Sequence, residues 1–131
     1  DVYSRYIVGW GLSNSLDAQS SLSVVQEAIR REGKPEMINS DQGAQFRCEL
    51  YVSYLKEEKV QISMDGKGRA LDNIYIERFW RTIKYQYIYL NPAGNGWELF
   101  KGIDKWINRY HNRAHQGIGR TKPAMRYRNT A

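Results

Sequence analysis

This sequence predicts an α/β fold, a sheet layered with helices, and three observations predict it. The period of the apolar residues switches between two and 3.6 along the chain, giving strand, helix, strand, helix, strand, helix. Glycine, proline and asparagine punctuate the switches, at Gly33 and Pro35 and again over Asn91–Gly96. The 131 residues are 41% hydrophobic and 26% charged, an ordinary globular balance that fits one domain with its own core.

From Val2 to Ser13 the chain is rich in Tyr, Ile, Val and Trp and reads as strand, with room for a turn at Ser4-Arg5. Asn14 to Asp17 caps a helix that runs through Arg31, in which Leu22, Val25, Ala28 and Ile29 recur at helical spacing until Gly33 ends it. Pro35 breaks the chain, and Glu36 to Ser40 is a short buried strand. A second helix is expected from Ala44 to Glu58, with Phe46, Leu50, Tyr54 and Leu55 inward, followed by a strand over Val60 to Met64. Asp65-Gly-Lys-Gly-Arg69 is a charged, glycine-bearing loop, expected to be mobile. The helical period returns from Ala70 to Tyr89, with Ile76, Phe79, Ile83 and Tyr87 as its buried stripe. Trp97 to Asn112 is the last helix, carrying Phe100, Ile103, Ile107 and Tyr110 on one side. The remainder is basic, turn-rich and weakly ordered. The expected division is therefore a core over 1–112 and a basic tail over 113–131.

The net charge of +6 is unevenly placed. Residues 101–131 hold eight basic side chains and one acid, Asp104, whereas residues 1–100 hold twelve basic and thirteen acidic ones. A near-neutral body with a basic end suits a polyanion, most simply nucleic acid, or else a merely solubilising surface. No apolar run is long enough to span a membrane and no secretory signal is read, so no membrane partner is expected. Cys48 is the single cysteine, which excludes an internal disulfide and a cysteine metal cluster and points to a reducing, cytoplasmic setting.

Two carboxylates carry the chemical reading. Asp41 follows the apolar run Met37-Ile-Asn-Ser40 and precedes Gly43, which places it at the C-terminal end of a strand. Glu77 follows after 35 intervening residues, within the helix opened by Asp72 and Asn73, on one face with Asn73, Arg81 and Lys84. Were the two to converge, they could hold divalent metal for phosphoryl transfer while Arg81 and Lys84 meet phosphates. The plain alternative is a solvated face with a Glu77–Arg81 ion pair. His111 and His115, four apart, could chelate zinc, but a surface, DNA-facing or capping role suits them better. Trp10, Trp80, Trp97 and Trp106 are expected in the core, with base stacking as the alternative. Gly66 and Gly68 read as hinges rather than a nucleotide loop, and Cys48 as a small structural residue.

Five stretches together resemble the integrase-like catalytic core of bacterial insertion-sequence transposases of the OrfB type, in the D,D,E superfamily that includes retroviral integrases. They are Asp1-Val-Tyr-Ser-Arg-Tyr-Ile-Val-Gly9, Ser40-Asp-Gln-Gly-Ala-Gln-Phe46, Ser63-Met64 with Gly68, Asp72-Asn73-x-x-x-Glu77-x-Phe79-x-x-x-x-Lys84, and Tyr110-His-Asn-Arg-Ala-His-Gln-Gly117 followed by Thr121-Lys-Pro-Ala124. Their order and the Asp41–Glu77 interval make the combination specific, and it covers nearly the whole chain.

The resemblance implies an RNase H-like mixed sheet flanked by helices, with strand order 3-2-1-4-5. Asp41 would be the second acid of the triad and Glu77 the third, both metal ligands. Lys84 and Arg81 would contact DNA, as would Asn73, Gln45 and Arg69, and Gly43 would permit the turn beside Asp41. The family's first aspartate lies on a strand upstream of the segment matching Asp1 to Arg5, so Asp1 is not assigned to the triad. The chain is thus expected to be a C-terminal fragment without that strand, weak in metal binding and by itself inactive. The intact enzyme would use two Mg²⁺ (or Mn²⁺) ions to cut DNA and join strands during transposition, with transposon ends and target DNA as partners. Exposed sheet edges would favour a homo-oligomer, at least a dimer, near the nucleoid. The alternatives are a DNA-binding or assembly module with structural carboxylates, and an RNase H-like nuclease that cuts without joining.

Overall fold

A computed structural model of the protein describes residues 1–64 and 73–130. The expected mobile loop Asp65–Arg69, its glycines and the expected helix start from Ala70 to Asp72 lie outside the described residues. The chain divides into two compact units, Val8–Ile74 and Asp1–Ile7 with Tyr75–Ala131.

The unit over residues 8–74 holds helix α1 (Ala18–Glu32), strand β1 (Met37–Ser40), helices α2 (Ala44–Arg47) and α3 (Glu49–Glu57), and strand β2 (Gln61–Met64). The start of α1 is set by Asp17, whose side chain accepts the Ser20 N–H at 2.6 Å. Its end is Gly33 at φ 89°, a backbone that favours glycine, with the Gly33 N–H returning to the Ile29 carbonyl. β1 and β2 pair in parallel, Met37 opposite Gln61 through Ser40 opposite Met64. Leu22, Tyr51, Leu55 and Val60 form the core, with Val25, Ile29, Ile38, Phe46, Tyr54 and Ile62 packed around them.

Two expectations here are corrected. The helix expected over Ala44–Glu58 is broken at Cys48, whose extended ψ of 138° separates α2 from α3. On an unbroken helix Phe46 and Tyr51 would point about 140° apart. The break lets both reach the core, ring to ring at 5.5 Å, and leaves Leu50 exposed in place of Tyr51. The strand expected over Val2–Ser13 does not form. Residues 2–4 make a turn in which the Asp1 carboxylate accepts the Ser4 N–H at 2.8 Å, and Arg5 takes a left-handed φ of 64°. Residues 8–11 lie along α1 so closely that a Cβ on Gly11 would stand 2.7 Å from Val24 Cγ2. A β-rich composition becomes strand only where a neighbouring ladder takes its backbone groups. Here the Ile7 N–H instead donates to the His111 ring.

The other unit is helical. It contains α4 (Ile74–Gln86), a 3-10 turn at Ile88–Leu90, α5 (Gly96–Asn112), a 3-10 turn at Gln116–Ile118, and α6 (Pro123–Arg128). Asn95 caps α5 by accepting the Glu98 N–H at 2.9 Å, while Glu98 accepts the Gly94 N–H at 2.9 Å. Phe79 and Ile83 of α4 and Ile103, Trp106, Ile107 and Tyr110 of α5 are buried, with Phe79 edge-on to Trp106 at 6.1 Å and to Tyr110 at 5.5 Å.

Residues 113–130 are more ordered than their composition suggests. Ile118, Pro123 and Ala124 are buried and α6 packs on α5, with proline at the helix start where its missing N–H costs nothing. The tryptophans divide. Trp106 is buried as expected, but Trp80 and Trp97 are exposed, as are Ile76 and Phe100 of the expected inward stripes. A stripe of three or four apolar positions is wider than the strip that one partner helix covers, so the flanking members stay outside.

Candidate active site

Asp41 is the residue immediately after β1 and is exposed. Its Oδ1 accepts the Gly43 N–H at 2.7 Å, a local turn that aims the carboxylate off the strand end. Oδ2 has no partner among the described residues. At φ −56° Gly43 could be any residue, but a Cβ there would stand 2.8 Å from Asp41 Oδ1 and 2.8 Å from Gln45 Oε1, so those side-chain ends would have to shift. Both polar groups therefore crowd the Gly43 Cα, and Gln45 is brought beside Asp41.

Asn73 lies in the turn that opens α4 rather than on the helix itself, and its Oδ1 accepts from Asn39 Nδ2 at 3.4 Å. Asn39 was not singled out from the sequence. Its signal was the two-residue alternation that puts it on the same strand face as Asp41. Arg69 lies outside the described residues.

On α4, Glu77, Arg81 and Lys84 are all exposed, while Phe79 and Ile83 turn into the core. No ion pair joins Glu77 to Arg81 among the described residues. Together with Trp80, Tyr85 and Tyr89 these three side chains line an open groove of about 440 Å³. The Arg81 guanidinium sits 5.8 Å from the Tyr85 ring centre, and Tyr85 stands edge-on to Tyr89 at 5.3 Å. Asp41 and Glu77 belong to different compact units.

The histidines serve the fold. His111 is buried, stacks on Tyr6 at 3.9 Å, and accepts the Ile7 N–H through Nε2 at 3.0 Å. His115 Nδ1 accepts the Gly117 N–H at 3.1 Å, capping the second 3-10 turn. Burial first, then the Arg5, Arg113 and Arg78 guanidiniums, lower its pKa below the usual 6.5. With their acceptor nitrogens so engaged, neither is available as a zinc ligand pair.

The donor chemistry at Asp41 and Glu77 suits a hard divalent cation, since each is an exposed carboxylate without an ion-pair partner among the described residues. Those residues contain no cluster of three or more His, Cys, Asp or Glu able to hold a metal ion. No helix among them is long and apolar enough to cross a membrane.

The chain is similar to known proteins over most of its length. Two descriptions of the integrase core domain match the chain, one over residues 1–70 and one over residues 58–123. The transposase for insertion sequence element IS904 of Lactococcus lactis subsp. lactis is 33% identical over 127 residues, 94% of this chain and 50% of that protein. Transposase InsF for insertion sequence IS3A of Escherichia coli is 31% identical over 91 residues, 68% of this chain and 32% of that protein. The chain thus spans half or less of the length of these curated relatives. Among solved structures, a simian T-cell lymphotropic virus intasome in complex with PP2A regulatory subunit B56 gamma matches 76% of this chain and 36% of its own, at a TM-score of 0.63 and 16% identity. That likeness shows a shared fold, the RNase H-like α/β class. The chain belongs to the integrase core domain family, in the form found in insertion-sequence transposases.

Proposed function

We propose that this chain is part of the catalytic core of a transposase that cleaves DNA and transfers strands during transposition. The observation that carries this reading is the pairing of family membership with two exposed carboxylates free of ion pairs. One stands at a strand end in the stretch matched over 1–70, the other on a helix in the stretch matched over 58–123, and the lack of ion pairs holds among the described residues. In this reading Asp41 and Glu77 are catalytic and jointly hold divalent metal, Mg²⁺ or Mn²⁺, with two ions in the whole enzyme. A third carboxylate comes from outside these residues, so the chain alone binds metal weakly and turns over little. Residues 1–112 then form the core portion and 113–131 a basic segment.

The ions, when bound, supply activation of a nucleophile and stabilisation of the leaving oxygen. The chain's own residues bind and orient. Asp41 presents its carboxylate at the strand end, with Oδ1 held by the Gly43 N–H. Lys84 and Arg81 meet backbone phosphates, the guanidinium offering a planar fork of donors and the ammonium a point charge. Gln45 and Asn73 donate amide N–H groups to DNA, as Arg69 does its guanidinium. Transposon ends and target DNA are the partners, at least a dimer is the working assembly, and the setting is the cytoplasm near the nucleoid.

The test is a strand-transfer assay with the whole transposase, its Asp41→Asn and Glu77→Gln variants, and Mg²⁺ present or chelated. Both variants and the chelated enzyme are expected to lose cleavage and joining to background while still binding DNA. Joining retained by either variant removes that residue from catalysis. Cutting without joining by the unaltered enzyme would make it a nuclease instead.

A further inference from the structure

Three guanidiniums gather around one histidine in the helical unit. The charges acting on His115 are those of Arg5, Arg113 and Arg78, with no carboxylate among them in the described residues. They come from three segments, the turn before Ile7, the link after α5, and α4, all within the unit of residues 1–7 and 75–131. No ion pair neutralises any of them among the described residues. Contacts fix the gathering in space. His115 stands edge-on to Tyr110 at 5.7 Å, and the Arg113 guanidinium lies 5.9 Å from the same ring centre. A Cβ on Gly117 would fall 3.1 Å from His115 Cε1 and 3.9 Å from Arg5 Nε, so the missing side chain leaves an opening between imidazole and guanidinium. Gly117 and Arg113 are exposed, and Arg5 and His115 half-buried, so the opening is reached from solvent.

Two of the guanidiniums are held in place yet keep donors to offer. Arg5 lies over the Tyr75 ring at 3.8 Å and donates one N–H to the Val2 carbonyl. Arg113 lies 5.5 Å from the Trp106 ring centre and donates one to Gln86 Oε1 at 2.7 Å. A ring contact occupies the flat face of a guanidinium and leaves its in-plane N–H groups available. His115 adds a donor of its own: Nδ1 accepts the Gly117 N–H, so the proton of the neutral ring is on Nε2. Cations brought together without a counter-charge repel one another, and an oxyanion among them turns that repulsion into attraction. Forks of N–H donors match the paired oxygens of a tetrahedral oxyanion, and three positive charges favour a dianion over a monoanion. We infer that Arg5, Arg78, Arg113 and His115 form a binding site for a phosphate-type dianion beside Gly117. It is separate from the Glu77, Arg81 and Lys84 face of α4, since Arg78 lies about 100° round the helix from Glu77. The terminal phosphate of a nucleic-acid strand and free phosphate share this chemistry. The inference does not depend on the roles proposed for Asp41 and Glu77.

The experiment titrates the 131-residue chain with sodium phosphate at about pH 7.5, against sodium chloride at equal ionic strength, and reads the imidazole Cε1 proton signals by NMR. The chain has two histidines, and His115→Asn identifies the signal to follow. Phosphate is expected to shift the His115 signal saturably, and chloride to leave it in place. Arg113→Gln should weaken phosphate binding roughly ten-fold or more. Gly117→Ala, which fills the opening without altering charge, should weaken it as well. Two oligonucleotides that differ only in a 5′-phosphate or a 5′-hydroxyl then distinguish the sources. Tighter binding of the phosphorylated strand, lost in Arg113→Gln, assigns the site to strand ends. Equal binding of the two strands beside a saturable phosphate shift assigns it to free phosphate. A His115 signal that stays still in phosphate, or moves equally in chloride, overturns the inference. So does a phosphate affinity unchanged in both Arg113→Gln and Gly117→Ala. The strand-transfer test of Asp41 and Glu77 reads independently, and its success beside an unmoved His115 signal would remove only the anion site.

Discussion

Gly43 shows how a single residue can matter through what it lacks. Its φ is ordinary, yet the Asp41 and Gln45 side-chain ends occupy the space that a Cβ would take, so a larger residue makes one or both of them shift. His115 is the counterpart in the helical unit, a residue defined by what surrounds it. Its Nδ1 must stay unprotonated to accept the Gly117 N–H, and burial with three nearby guanidiniums opposes the imidazolium. A histidine whose folded pKa is lowered is neutral in the fold while the unfolded chain still takes up protons near 6.5. Its contribution is complete above about pH 6.5 and is lost as pH falls through the lower folded value. Thermal midpoints measured from pH 7.5 to 5.5 should therefore fall with acidification. His115→Asn, which keeps an acceptor and cannot titrate, should flatten that dependence; an unchanged slope would show that His115 does not carry it.

At the scale of elements, the junction of α4 with α5 is set by one close approach. The Tyr87 side chain lies over Gly102, where a Cβ would fall only 1.8 Å from the phenolic oxygen and 2.8 Å from Cζ. Alanine at a helix interior normally gains about 1 kcal/mol over glycine. Here it must displace a ring, and overpacking of that kind typically costs about 1–3 kcal/mol. Gly102→Ala is thus expected to destabilise the protein in a denaturant titration despite its better helix propensity. Tyr87→Phe, which removes the oxygen but not the ring, should recover part of the loss. A stabilised Gly102→Ala variant would mean that Tyr87 swings away freely.

For the molecule as a whole, charge follows the units. Residues 1–7 with 75–131 carry twelve basic and four acidic side chains, a net +8, whereas residues 8–74 carry eight basic and ten acidic, a net −2. The helical unit is therefore the one that attracts a polyanion. DNA binding should weaken with added salt, as counterions released from each neutralised phosphate are recaptured. Arg81→Ala and Lys84→Ala should each lower the slope of log affinity against log salt by about one, whatever the DNA sequence. A slope unmoved by both would place the phosphates elsewhere on the molecule.

Periodicity and punctuation were enough to locate α1, β1, β2 and α5, because apolar spacing, an Asp17 or Asn95 cap and a Gly33 stop act within one or two turns of backbone. They were also enough to put Asp41 at a strand end and to separate Glu77, Arg81 and Lys84 from the buried face of α4. What the chain could not declare locally were the outcomes of competition between distant groups. Whether residues 2–13 pair as strand depended on which partner took the Ile7 N–H, and His111, 104 residues away, took it. The order of residues 113–130 depended on α5 offering a surface for Ile118, Pro123 and Ala124. Cys48 broke a regular helical pattern so that two rings could share one core. The same holds for the exposed rings of the α4 groove. Composition counts aromatic residues, but only tertiary packing decides which of them find a partner and which are left facing water.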